Sequence, residues 1–404
     1  MPFLLHDSQL TREQRSIVEL RPDRHHLVLG PPGSGKTQVL LHRARWLRDR
    51  AHTTPDRFRI FVFTNVLSQF IRQSLDYLAI PPGTVQTFDD WCGELWEKLV
   101  GGKKPKVPAP GKGTDYPAIR RGVAAAIQRS PPAAPLLDFA MVDEGQDLNA
   151  PAYQILRGAV SHVSVFADAR QQIFDDGLGE AEILSSLGVA QQTAALLPAY
   201  RNSPDVAKLA SYFGNHFDGL NYTAKDRQKP CFYVAADWDD EIDQMATIIR
   251  EQMRLNHKVC IIVPTNRDLY GVAKRLGERS VPVEKATPPR GGGPPADFNT
   301  LTPKIATYHS AKGLTFDCVI LPKLVENNFQ RVTGLRRHRL LMVGITRATQ
   351  WVFLSTVRGY ELREVALLRE AEAKGDLFVL TSAKSGTATP PPPAEEPVAE
   401  DSFL

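Results

Sequence analysis

Cysteine is scarce in this sequence. The 404 residues hold four, Cys92, Cys231, Cys260 and Cys318, far apart and never in a C-x-x-C pair. That spacing argues against a zinc site and a disulfide framework, and it fits a reducing, cytoplasmic setting. Long apolar runs are missing as well. No stretch of about 18 apolar residues occurs, so no membrane span is expected. The opening MPFLLHDSQLTREQ has no basic region followed by a long apolar segment, so no secretory signal is expected. No internal repeat is found. Charge of one sign is also lacking, with a net of only +4. The last 23 residues mask part of a bias. From Ser382 onward there are one Lys and four acidic residues, which leaves 48 basic and 41 acidic residues elsewhere, a net of +7. Mild basicity permits a polyanionic partner without proving one.

What is present reads as an ordinary globular chain, 42% hydrophobic and 23% charged. The length allows two or three domains. Three breaks interrupt it. Gly101 to Tyr116, GGKKPKVPAPGKGTDY, reads as a structureless, exposed basic loop. Thr287 to Pro303 is a Gly/Pro insert. The end, SAKSGTATPPPPAEEPVAEDSFL, has the composition of a disordered acidic tail. Between the breaks, the apolar runs HLVLG, IFVFT, AMVDE, VSVFAD, VCIIVP and VILPK read as buried strands. KTQVLLHRARWLRDR, SQFIRQSLDYLA, DEIDQMATIIREQMR and RDLYGVAKRLGER read as helices. The alternation predicts an α/β fold, with parallel sheets covered by helices on both faces. The expected division is residues 1–198, residues 199–381 and a tail over residues 382–404.

The stretch HLVLGPPGSGKT carries the first chemistry. Gly30, Gly35, Lys36 and Thr37 fit the phosphate-loop pattern G-x-x-x-x-G-K-[ST], between an apolar strand and a helical pattern. Backbone N–H groups along Gly30, Pro31, Pro32, Gly33, Ser34 and Gly35 would cradle phosphates, as far as each residue has an N–H to give. Lys36 would reach the β and γ phosphates, and the Thr37 hydroxyl would hold Mg²⁺. Such a loop announces a nucleoside triphosphate and leaves its use open. A second strand, LLDFAMV, ends in Asp143 and Glu144. Asp143 is placed to bind Mg²⁺, and Glu144 to deprotonate an attacking water. Taken alone, that pair could equally be a solvated acidic turn.

Asp143 to Asp147, D-E-G-Q-D, resembles the D-E-A-Q-D Walker B motif of the UvrD/Rep-like superfamily 1 helicases. Further segments resemble that family's motifs in the family's order, from Leu10 to about Leu354. LTREQ resembles the Q motif, which implies that Gln14 reads adenine. FVFTN resembles motif Ia and implies strand contacts from Phe63, Thr64 and Asn65, with Phe63 stacking on a base. VQTFDDWC resembles the T-F-H-S segment that touches the strand backbone, through Thr87 and Phe88. FADARQQIF resembles motif III, with Asp168, the γ-phosphate sensor Gln171, and Phe174 on the strand. LPAYRNS resembles motif IV, with Tyr200 on adenine and Arg201 on the γ-phosphate. TYHSAKGLTFD resembles motif V, with His309 toward the strand and Gly313 toward the nucleotide. RLLMVGITRAT resembles motif VI, with Arg347 as the arginine finger.

The resemblance implies two RecA-like domains with ATP and Mg²⁺ between them, and ATP-driven movement along a single strand, DNA rather than RNA, with 3′ to 5′ polarity. A nucleic-acid-stimulated ATPase switch acting on a partner, such as a nuclease in a repair or defence complex, is the alternative. The tail is a candidate contact for such a partner. Three departures stand out. The family's large inserts shrink here to loops. Asp175, Asp176 and Gly177 follow Phe174 where the family has Arg and Trp. Thr315 stands where motif V has Glu.

Overall fold

The computed structural model describes residues 4–31, 33–108, 113–168, 178–196, 202–214, 228–287, 295–330, 332 and 334–384. The chain forms two compact units, Met1–Ala199 and Tyr200–Leu404.

Unit 1 runs α1 (Arg12–Val18), β1 (His26–Leu29), α2 (Lys36–Ala51), β2 (Phe58–Val62), α3 (Asn65–Arg72), β3 (Val85–Thr87), α4 (Phe88–Leu95), α5 (Tyr116–Arg129), β4 (Leu137–Val142), α6 (Ala150–Ala159), β5 (Val160–Ala167), α7 (Glu180–Leu187) and β6 (Ala194–Ala195). Its strands form one sheet in the order β3-β2-β4-β5-β1-β6. Every pairing is parallel, with Leu27 opposite Val165 and Ile60 opposite Met141. Strands buried on both faces need apolar residues at successive positions, which is why they appear in the sequence as unbroken apolar runs. One core joins Leu27, Val142, Val163 and Val165 of the sheet to Ile119, Val123, Tyr153 and Leu156 of α5 and α6. Short side chains start α3, α4, α5 and α6. Thr64, Thr87, Asp115 and Asn149 each accept a backbone N–H at the N-cap.

Unit 2 runs α8 (Pro204–Ser211), β7 (Cys231–Ala235), α9 (Trp238–Arg254), β8 (Val259–Val263), α10 (Asn266–Glu278), β9 (Glu284–Lys285), β10 (Lys304–Thr307), β11 (Phe316–Leu321), α11 (Gly334–Ile345), β12 (Ala348–Val357), α12 (Val365–Ala373) and β13 (Phe378–Thr381). Its sheet has the order β13-β7-β12-β11-β8-β10-β9, again wholly parallel. Met245, Ile249, Leu269 and Leu276 from α9 and α10 pack on Ile261, Ile320 and Phe353.

The described parts of the two internal breaks are more ordered than their composition suggests. In the basic segment, Lys106 and Thr114 form an antiparallel bridge. The Asp115 N–H donates to the Pro105 carbonyl at 2.9 Å, and Lys104 pairs with Glu97 at 2.8 Å. The described ends of the expected structureless loop are thus pinned, with Lys103 and Lys106 exposed. In the second insert, Ala296 and Phe298 are buried, and Lys258 Nζ donates to the Phe298 carbonyl at 2.8 Å. Pairing of backbone polar groups explains both cases, because a segment near the surface of a core must still satisfy them.

Candidate active site

Parallel strands put all their carboxyl ends on one edge, and in unit 1 the motif-bearing loops lie there. The phosphate loop leaves β1, the Asp143–Asp147 turn leaves β4, and Asp168 follows β5, which lies between those two strands. The loop needs its glycines. Gly33 and Gly35 have φ of 75° and 83°, in the left-handed region. A Cβ at Gly30 would lie 2.5 Å from Ser34 Oγ, and one at Gly35 would lie 2.9 Å from Gln14 Nε2. Ser34 Oγ is buried and has no hydrogen-bond partner among the described residues. A buried hydroxyl left without a partner inside a glycine cradle fits an anionic ligand that supplies the missing contact.

Lys36 begins α2 and is nearly buried. Its ammonium folds back on the loop, donating to the Gly30 carbonyl at 2.8 Å and the Pro31 carbonyl at 3.1 Å. It lies 3.9 Å from Asp168 Oδ2. Thr37 Oγ1 donates to Asp143 Oδ2 at 2.7 Å, so the two expected Mg²⁺ donors stand together. Two hard oxygens beside a phosphate cradle suit Mg²⁺. Burial, and then the neighbouring Glu144 charge, push the Asp143 carboxyl above its ordinary range. Glu144 itself sits in the left-handed region, with φ 53°. Gln146 Nε2 donates to Glu144 Oε2 at 2.6 Å.

Gln14 is held by a capping box. Its side chain accepts from the Thr11 N–H at 3.0 Å, while the Thr11 hydroxyl accepts from the Gln14 N–H at 3.1 Å. Helix α1 is fastened to α2 by Arg43, which is fully buried. Its guanidinium donates to the carbonyls of Ile17, Val18 and Leu20 at 3.3, 2.9 and 2.7 Å. It also donates to Ser164 Oγ at 2.9 Å and meets His162 Nε2 at 3.0 Å. Burial, with Arg43 next in importance, pushes His162 down to about 3, so the ring is neutral and can accept. The phosphate-loop side of unit 1, where α2 starts, is therefore braced from behind.

The expected strand residues fare differently. Thr64 and Thr87 are buried N-caps, accepting from Leu67 N–H at 3.0 Å and Asp90 N–H at 3.1 Å. Asn65 opens α3, and Phe63 is half-buried in the loop before it. Phe88, the first residue of α4, is buried. Its ring lies in the core, 5.2 Å from Phe61 edge-on and 5.8 Å from Trp91. Packing of α4 against the sheet puts the ring there. Where the family has His and Ser after T-F, Asp89 pairs with Arg120 at 2.7 Å and Asp90 accepts from the Thr87 hydroxyl at 2.7 Å.

In unit 2, Gly313 has φ 79°, and His309 is exposed on the loop between β10 and β11. Arg347 lies between α11 and β12, nearly buried. It donates to the Val343 carbonyl at 3.0 Å, the Leu314 carbonyl at 3.4 Å and Thr346 Oγ1 at 3.2 Å. Asn202 is a residue that the sequence reasoning missed. Its amide donates to the carbonyls of Thr346, at 3.0 Å, and Ala348, the two residues that flank Arg347. Ser203 extends the tie, its N–H on the Thr349 carbonyl at 2.6 Å and its hydroxyl on the Gln350 carbonyl at 2.9 Å. Motif IV therefore ends on the backbone that presents Arg347. Pro32, Gln171, Phe174, Tyr200 and Arg201 lie outside the described residues, as do Asp175, Asp176 and the tail from residue 385.

Two family models match. The UvrD/REP helicase N-terminal domain covers residues 10–100, and the UvrD-like helicase C-terminal domain covers residues 305–355. Together the two matches support a UvrD-like helicase, with one model in each unit. Its two parallel-sheet units flanked by helices suit UvrD-like domains of the RecA type. No curated protein matches the chain. Among solved structures, the C-terminal domain of a possible DNA helicase from Lactobacillus plantarum WCFS1 is similar, at 18% identity and TM-score 0.35. That likeness covers 45% of this chain and 98% of the other, and at such a score it carries no argument. Among the described residues of this UvrD-like chain, no helix is long and apolar enough to cross a membrane.

Proposed function

We propose that the protein hydrolyses ATP to move along a single nucleic-acid strand, DNA rather than RNA, in the 3′ to 5′ direction. The observation that carries this reading is the set at the carboxyl edge of unit 1. Lys36, Thr37, Asp143 and Glu144 stand around a glycine cradle with an unpartnered buried hydroxyl. Thr37 and Asp143 would hold Mg²⁺, which supplies charge neutralisation on the phosphates. Gln14 and Tyr200 would take the adenine, and Gln171 and Gly313 would lie toward the phosphates. Lys36 would leave its loop carbonyls for the β and γ phosphates. Glu144 would take a proton from water as the water oxygen bonds to the γ-phosphorus and the bond to the bridging oxygen breaks, giving ADP and phosphate.

Arg201 and Arg347 would complete the site from unit 2, with ATP held between the two units. Arg347 would have to exchange its carbonyl contacts for a phosphate oxygen, a swap of neutral acceptors for a charged one. Its dependence on the triphosphate would couple hydrolysis to domain motion. Phe63, Thr64, Asn65, Thr87, Phe174 and His309 would touch the strand, by stacking and phosphate contacts. A cytoplasmic setting belongs to the same reading, with Cys92, Cys231, Cys260 and Cys318 as free buried thiols.

A second reading, a nucleic-acid-stimulated ATPase switch acting on a nuclease or another repair or defence partner, with the acidic tail as a candidate contact, is favoured by one observation. The T-F segment in unit 1 gives its side chains to a helix cap, the core and an ion pair. The test is ATPase activity with and without single-stranded DNA or RNA, with Lys36→Ala and Glu144→Gln as controls. Stimulation by a strand is expected. Loss of hydrolysis by at least about 100-fold is expected in both variants, with ATP binding retained in Glu144→Gln. No response to either polymer defeats the motor. Displacement of a protein roadblock from a strand separates the motor from the switch.

A further inference from the structure

Gln146 is fully buried and bonded at both ends of its amide. Its Oε1 accepts from the Asp168 N–H at 3.0 Å, and its Nε2 donates to Glu144 Oε2 at 2.6 Å. The two partners fix one orientation. A backbone N–H can be met only by the amide oxygen, and an ionised carboxylate only by the amide NH₂. The turn that carries Gln146 is itself pinned. The Tyr153 hydroxyl donates to the Gly145 carbonyl at 2.8 Å, and the Leu178 N–H donates to the Gln146 carbonyl at 3.1 Å. Glu144 holds a left-handed backbone that a residue with a side chain adopts at a cost, and keeps where its surroundings enforce it. At the other end, Asp168 follows β5, in the strip between the Asp143–Asp147 turn and the phosphate loop. Its carboxylate lies 3.9 Å from Lys36 Nζ.

We propose that Gln146 is the positioning residue for Glu144, its amide fastening the carboxylate to the backbone at Asp168. This rests on the reading of Glu144 as general base. The amide serves two purposes. It fixes the carboxylate at one oxygen, Oε2. It also links the base to the backbone at Asp168, next to the end of β5.

The test uses the full chain with Gln146→Met, Gln146→Glu and Glu144→Gln. Strand-stimulated ATPase is measured from pH 5 to 9, and hydrogen exchange at the Asp168 amide is measured in the nucleotide-free protein. Gln146→Met should lower kcat by about 10-fold or more, with KM for ATP changed less than about twofold. It should also lose protection at the Asp168 amide. Gln146→Glu can still accept from that N–H and should keep the protection. It sets two carboxylates face to face, so the acid limb of its rate profile should move up by about one pH unit. A residue that merely fills space would leave the limb in place. Wild-type kcat and pH profile in both variants overturn the proposal. So does unchanged Asp168 exchange in Gln146→Met, a readout that needs no turnover. Wild-type hydrolysis by Glu144→Gln overturns the base assignment on which the proposal rests, while the exchange result still judges the bridge by itself.

Discussion

The two halves of one sheet edge in unit 1 are built on different principles. At the ends of β1, β4 and β5, polar side chains answer one another: Thr37 with Asp143, Gln146 with Glu144, and Lys36 near Asp168. At the ends of β2 and β3, the side chains serve the fold. Thr64 and Thr87 cap helices, Phe88 fills the core, and Asp89 pairs with Arg120. Clustered, mutually bonded and largely buried polar groups cost desolvation, and a fold retains them where chemistry uses them. Capping and packing residues need no ligand to explain them. The phosphate-loop half is thus held in place by its own side chains. The strand half has few side chains to offer, with the half-buried Phe63 foremost.

The largest effect tests that contrast directly. Phe88→Ala removes a core ring and should destabilise unit 1 by about 3–5 kcal/mol, read by denaturant unfolding. Phe63→Ala should cost much less stability. It should instead weaken single-strand binding by about 1–3 kcal/mol, the range for one lost base stack, measured by fluorescence titration. Equal stability losses, with strand affinity intact in Phe63→Ala, would erase the distinction between the two phenylalanines.

Those two residues also show what the sequence could and could not tell. Both follow a short strand and both lie beside a threonine cap, so their local signals are alike. Only the packing of α4 on the sheet makes one of them core. The expected strands were legible for a physical reason. Strands buried on both faces show as apolar runs, as in HLVL and VCIIV. Very short strands such as Val85–Thr87 and Ala194–Ala195 are too brief for any periodicity to mark. The phosphate loop was legible because one ligand class dictates its spacing. Asn202 was not. The carbonyls that it holds are 144 and 146 residues away along the chain, and only the fold brings them to it. The pinning at the ends of the basic insert was hidden in the same way, since composition reports charge and turn residues but not backbone pairing.

The next prediction concerns the turn that supports the phosphate half. The family pattern carries Ala where this chain has Gly145. Here a Cβ would meet Val165 Cγ1 at 2.2 Å and the Tyr153 hydroxyl at 2.9 Å. Gly145→Ala should therefore destabilise unit 1 by about 1–3 kcal/mol, the usual cost of overpacking. Adding Val165→Ala opens the space and should recover part of that loss, so the double variant should unfold later than the sum of the single effects implies. Additive losses would mean that Val165 is not what excludes a side chain there.

The smallest effect tests the bracing behind the phosphate loop, for which the strand half has no counterpart. His162 is neutral in the fold, pushed down to about 3 by burial and then by Arg43. On unfolding it regains an ordinary value near 6.5 and takes up a proton below it. Its contribution is therefore fully present above about pH 6.5 and is lost as pH falls below that value. At pH 5.5 the loss from this one ring is about 1.4 kcal/mol, or roughly 3–6 °C in melting temperature for a unit of this size. Asp143, whose carboxyl is pushed up, pulls the other way in the same range. The clean measurement is thus the difference between wild type and His162→Gln. Between pH 7.5 and 5.5 the wild type should lose about 1.4 kcal/mol more than the variant does, whatever the variant's own starting stability. Parallel pH curves would show that the ring takes up its proton in place, and that Arg43 is not held against a neutral acceptor.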